Sequence, residues 1–176
     1  MLFRSFMFLG IVSAMLIPLQ SIIIPAYINA SHLKLLSGYW GAIIMYAALG
    51  TPFSTFLMTS YFRGLPNDLV EAAIVDGLSF PRVFTRIGLP LAVPAIITVI
   101  VLQFIQVWDD LLVGLLFIQD PSYRTITVGL GALAAGRVVD IPVLLAGSLI
   151  SAIPAIIVYL IFQRQLVNGL MAGIGK

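Results

Sequence analysis

Few residues in this chain could do chemistry, and most of them fall in one stretch. Gln103, Gln106, Trp108, Asp109 and Asp110 interrupt an apolar run from about Leu91 to Ile118. A carboxylate at the centre of a span costs about 2.5–3.5 kcal/mol on insertion scales, so it must face protein, water or the far interface. Two readings stay open. Asp109 and Asp110 mark the exit from the membrane, or the polar stripe lines a translocation path. Covalent chemistry has little to work with. There is no cysteine and one histidine, His32, which excludes a thiolate nucleophile and a multi-histidine metal site. Asp109 and Asp110 are adjacent, so on a helix they point to different sides and do not form a catalytic carboxylate pair. The sequence has no Gly-x-x-x-x-Gly-Lys-Ser/Thr loop for nucleotide phosphates. No metal or cofactor is expected, and the chain is not read as an enzyme.

The elements that must position the stripe are membrane helices. Hydrophobic residues make up 61% of the 176 and charged residues 9%, with mean hydropathy +1.13. Soluble domains carry about 25% charge. The expected fold is all-α: one polytopic transmembrane domain over 1–176. Membrane helices tolerate the fifteen glycines and ten prolines better than soluble helices do. A net charge of +2, scattered along the chain, gives no nucleic-acid footprint. About four spans are expected, over 3–27, 39–62, 91–118 and 143–162. The first lacks a small-x-small cleavage site and is read as staying in the membrane. Pro18 and Pro25 interrupt it, and a polar turn from Asn29 to Gly38 follows. The second is rich in small residues that permit close helix packing. Between the third and fourth, Asp120-Pro121 signals a turn, and Thr127–Ala135 reads as a short re-entrant or interfacial helix.

The one long segment that is not simply apolar runs from Pro66 to Pro94 and holds Asp68, Glu71, Asp76, Arg82 and Arg86. It reads as two short helices joined at a glycine. Asp68 and Glu71 have capping-box spacing. Gly77 can take the left-handed conformation that ends a helix, and Ser79 can cap the next one, with Pro81 in its first turn. Leu69 belongs to the first helix, and Ala72 and Ala73 offer a small-residue face for another protein's backbone.

Glu71-Ala72-Ala73, Asp76-Gly77 and Ile87-Gly88-Leu89-Pro90 together resemble the EAA motif of permease subunits of ABC importers, specifically the maltose-type carbohydrate permeases. The resemblance implies that 66–90 is a cytoplasmic coupling loop that docks on an ATPase subunit, with Leu69, Arg82 and Arg86 alongside the motif. It implies as partners a cytoplasmic ABC ATPase dimer, a second and different permease subunit, and an extracytoplasmic substrate-binding protein, all in contact with membrane lipid. Related sugar permeases read Trp-Asn-Asp where this chain has Trp108-Asp109-Asp110, a departure pointing to a polyol-like or cationic ligand. The tail, with Gln163, Arg164, Gly169, Gly173 and Lys176, resembles the family's C-terminus; from the residues alone it reads as a frayed polar end. Family proteins usually have six spans, and this chain starts at what looks like their third.

Charge gives orientation independently. With four spans, Arg4, Arg63, Arg82, Arg86, Arg164 and Lys176 lie on one side, and Lys34, Arg124 and Arg137 on the other. The positive-inside rule puts the first group, both termini and the coupling loop in the cytoplasm of a bacterial inner-membrane protein. The rival readings are an ATPase-independent channel or secondary transporter using Asp109 and Asp110 as an ion site, and an inactive truncated fragment.

Overall fold

The computed structural model describes residues 2–137 and 139–174, and among them there is no strand. The helices are α1 (Leu2–Ser13), α2 (Leu19–His32), α3 (Trp40–Arg63), α4 (Asn67–Val75), α5 (Phe80–Val83), α6 (Leu89–Leu91), α7 (Val93–Asp109), α8 (Leu112–Phe117), α9 (Ile126–Ala134) and α10 (Ile141–Ile174). By length and composition α3 and α10 can each cross a membrane, and the count rises to four if each of two bent helix pairs is one span. The all-α membrane fold is therefore present, with the spans built differently in detail.

The Phe3–Tyr27 run is not one rod. Its two arms meet at 101°. Pro18 is the cause: it forces the preceding residue out of the helical region, and Ile17 is extended at φ −88°, ψ 117°. Pro25 lies inside α2 without ending it. Asn29 to His32, read as a polar turn, continue α2. The real turn starts after them, where Lys34 takes a left-handed φ of 56°.

The third run breaks twice. At Ala92 the segment ending in α6 meets α7 at 65°. Just upstream, Phe84–Gly88 is a π-helical turn. Pro90 has no N–H for the carbonyl one turn back, so the helix widens and bends there. At Asp110 the backbone becomes extended (φ −72°, ψ 129°), and α8 starts afresh. The fourth run is longer than its apolar core: α10 carries Gln163 and Arg164 within the helix rather than in a frayed end.

Packing follows the small residues. The main core joins α2, α3 and α8, with Ile23, Ala42, Met45, Val113 and Phe117 buried. A side chain at Gly41 would sit 2.7 Å from the Leu35 carbonyl oxygen, so only glycine lets that turn close on α3. The second contact is α7 against α10. Ala95, Thr98 and Val101 are buried along one face of α7. A Cβ at Gly169 of α10 would overlap Thr98. The Thr98 hydroxyl lies 2.9 Å from both the Pro94 and the Gln165 carbonyl oxygens, so its one proton is shared between its own helix and α10.

Candidate functional site: the coupling hairpin and the polar groups of α7

The hairpin is built much as the sequence asks, with two corrections. Gly77 joins α4 to α5 at φ +83°, and no atom would crowd a Cβ there. The requirement for glycine is therefore conformational rather than steric. The Leu78 N–H bonds to the Ala73 carbonyl and the Gly77 N–H to the Ile74 carbonyl, closing the end of α4. Ser79 takes the cap position of α5 in extended conformation, but its hydroxyl makes no capping bond. The first correction is that the Asp68–Glu71 capping box does not form. The helix begins at Asn67, two residues earlier than a cap at Asp68 would start it, after Pro66, whose side chain has no acceptor. Asp68 then lies in the first turn, where its charge still favours the helix N-terminus.

The second correction concerns the alanines. Successive helix residues lie about 100° apart, and the two split between faces: Ala73 is buried and Ala72 exposed. Ala73 and Val83 seal the hairpin inside. A cavity of about 210 Å³ remains beneath it, lined among others by Leu69, Val70, Phe80 and Ile87. Outside lie Glu71, Ala72, Asp76, Arg82, Arg86 and Pro90, with Val75 86% and Phe80 73% exposed. Ile87 and Leu89 are half-buried. Val75 and Phe80 leave an exposed apolar patch on the hairpin.

The polar stripe of α7 does not form one surface. Gln103 faces α3, its amide nitrogen 3.4 Å from the Gly50 carbonyl oxygen. There it lines a groove of about 380 Å³ with Tyr46, Gly50, Thr51, Ser54 and Thr55. Trp108 bonds toward α10: its indole N–H donates to the Ser151 carbonyl at 2.9 Å, and its ring stacks on Phe104, while Gln103 and Trp108 both line a second cavity of about 600 Å³. Gln106 and Asp109 are exposed. Asp110 is committed to structure. Its Oδ2 accepts from the Val113 N–H at 2.7 Å, the Gly114 N–H at 3.3 Å and the Tyr46 hydroxyl at 3.0 Å. One carboxylate thus starts α8 and ties it to α3. Asp109 and Asp110 part because the helix ends between them: Asp109 is the last residue of α7 and Asp110 is extended.

Sequence reasoning missed Tyr46, Thr98 and Gln165. Nothing distinguishes Tyr46 locally, since its partner lies 64 residues away. Gln165 buries its side-chain oxygen without a hydrogen-bond partner, between α10 and the bundle. Of the tail residues, Gly169 is an α7 contact and Gly173 lies in α10. Lys176 is outside the described residues. His32 is exposed at the end of α2. No group of three or more metal-ligating side chains occurs among the described residues.

Fold and hairpin define a helical membrane protein with a short helical hairpin between two candidate spans. Residues 2–172 match the profile of the binding-protein-dependent transport system inner membrane component, and the chain belongs to that family. An osmoprotective compounds uptake permease protein of Synechocystis is 36% identical over 171 residues, 97% of this chain and 57% of the relative. A diacetylchitobiose uptake system permease protein of Streptomyces coelicolor is 30% identical over 172 residues, 97% of this chain and 57% of the relative. An arabinooligosaccharides transport system permease protein of Bacillus subtilis is 30% identical over 170 residues, 97% and 60% of the two chains. The chain thus spans under two thirds of the length of these relatives.

Proposed function

We propose that this chain serves as a permease subunit of a binding-protein-dependent ABC importer for sugars or related polyols. The observation that carries the reading is the hairpin of α4 and α5, hinged at Gly77 and outwardly apolar at Val75 and Phe80. A partner ATPase subunit docks on this surface. Leu69, Glu71, Ala72 and Asp76 contribute from α4 and its end, Arg82 and Arg86 from the following turns. Ile87, Leu89 and Pro90 carry the motion into α7. The π-helical turn and the cavity beneath the hairpin give it room to shift as ATPase subunits close. The solute path runs along the α3–α7 groove, where Gln103, Thr51 and Ser54 present hydroxyl and amide groups suited to sugar hydroxyls. Gln106 and Asp109, exposed on the same helix, face a second permease subunit or the entry from the binding protein. The sugar and osmoprotectant substrates named for the relatives favour this solute class.

The hairpin lies on the cytoplasmic side with Arg4, Arg63 and Arg164, the orientation that the positive-inside rule favours. The engagement of Asp110 with Val113, Gly114 and Tyr46 argues against the ion-site rival, which needs a carboxylate free to bind and release.

The test is purification of the tagged chain from its host in mild detergent, beside a Gly77→Asp variant. Recovery of an ABC ATPase with the wild type and its loss with the variant supports the reading. A correctly inserted wild type recovered without any ATPase overturns it. Because the sequence has no cysteine, single cysteines at Glu71 and Lys34 can report orientation. Labelling of position 71 by an impermeant reagent added outside intact spheroplasts contradicts the cytoplasmic placement.

A further inference from the structure

A cavity of about 780 Å³ lies between the start of α1 and the end of α3, with Asn67 at the start of α4 on its edge. Its lining combines cations, hydroxyls and hydrocarbon. Arg4, near the start of α1, and Arg63, the last residue of α3, are at one end. Thr59 and Thr55 follow four and eight residues back along α3, about 6 and 12 Å deeper at 1.5 Å per residue. On α1, Phe8 and Ile11 recede from Arg4 in the same direction. Two cations at one end of a wall of hydroxyl and hydrocarbon side chains match the phosphate, glycerol esters and acyl chain that a phospholipid joins in one molecule. No carboxylate is among the described residues that line the cavity. The Arg63 guanidinium sits 5.1 Å from the centre of the Phe8 ring, which braces it over the α1 wall. Thr55 is the one lining residue shared with the α3–α7 groove.

We infer that this cavity binds one anionic phospholipid, its phosphate between Arg4 and Arg63 and one acyl chain along Phe8 and Ile11. Two cations at a membrane boundary attract an anionic headgroup over a zwitterionic one. A free phosphate would use the arginines alone and leave the apolar depth of the cavity unfilled. This assignment is independent of the transport reading, since it needs only the α1–α3 pair in a bilayer.

The experiment is native mass spectrometry of the full chain in detergent, titrated with phosphatidylglycerol or phosphatidylcholine of the same chain length. Arginines at a surface each add a factor of about five, so a preference of about 30-fold for phosphatidylglycerol at one site is expected. It should fall to near unity in Arg4→Gln/Arg63→Gln and persist in Arg4→Lys/Arg63→Lys and in Arg124→Gln, which changes a cation outside the cavity. Equal binding of the two lipids by the wild type overturns the proposal without any variant. So does equal retention of inorganic phosphate, which marks a plain anion site. A photo-crosslinking residue at Ile11 should give adducts of lipid mass. Adducts with polypeptide, whether a second copy of the chain or another protein, show that protein fills the cavity and refute the lipid assignment.

Discussion

Asp110 separates a structural carboxylate from an ion-coupling one, because asparagine satisfies the first role and fails the second. In Asp110→Asn the amide oxygen still accepts from Val113 and Gly114, and asparagine caps helices about as well as aspartate. What weakens is the 3.0 Å bond from the Tyr46 hydroxyl, which loses its charged acceptor. The cost is about 1 kcal/mol, or a Tm lower by about 2–4 °C for a chain of this size. Asp110→Ala removes the cap of α8, about 1–2 kcal/mol, and leaves the half-buried Tyr46 hydroxyl without its acceptor, about 1–3 kcal/mol more. A total near 3 kcal/mol lowers Tm by about 6–12 °C. Thermal melts followed by fluorescence size-exclusion in detergent measure both. Substrate uptake in whole cells, run in parallel, should follow stability, so the asparagine variant keeps most of its activity. An asparagine variant as stable as wild type but dead in uptake would refute the structural role and restore the ion-site reading. An alanine variant with unchanged Tm would show that the three bonds carry no weight.

The glycines give a graded set. Gly77→Asn should retain ATPase recovery, since asparagine tolerates left-handed φ, whereas Gly77→Val should strain the turn by about 1–2 kcal/mol and reduce recovery in pull-downs. Gly41→Ala presses on the Leu35 backbone carbonyl and should cost about 1–3 kcal/mol, while Gly50→Ala meets only the end of the Gln103 side chain, which can shift by giving up its 3.4 Å contact with the Gly50 carbonyl, and should lower Tm less. Melts of the pair test the contrast, and equal shifts would contradict it. Gly169→Leu should part α10 from Thr98 and lower Tm by several degrees, read in the same assay. Gln165→Met keeps the volume and removes a buried acceptor that lacks a partner, so it should be neutral or stabilising by about 1 kcal/mol. A marked loss of Tm would show that the oxygen is in fact hydrogen-bonded.

The sequence by itself determined what depends on composition and local conformation. Apolar content required a helical membrane protein, because only helices or closed barrels satisfy the backbone in lipid. Gly77 ended α4 where expected, since φ of +83° is a property of one residue. α3 at Trp40–Arg63 and α9 at Ile126–Ala134 lie close to the apolar runs read in the sequence, since such runs are local signals. Tertiary structure decided the rest. Pro18 and Pro25 look alike in sequence, yet only the first lies at a bend. Ala72 and Ala73 form one motif, but packing against α5 buried the second alone. The polar stripe of α7 left two readings open in the sequence, and three neighbours engage its members: α3 bonds Gln103, α10 bonds Trp108, and α8 with Tyr46 bonds Asp110. A side chain's type fixes what it can bond to, but its partner lies 43 to 64 residues away in these cases of Trp108 and Tyr46. Only the packing of the helices brings those groups within reach.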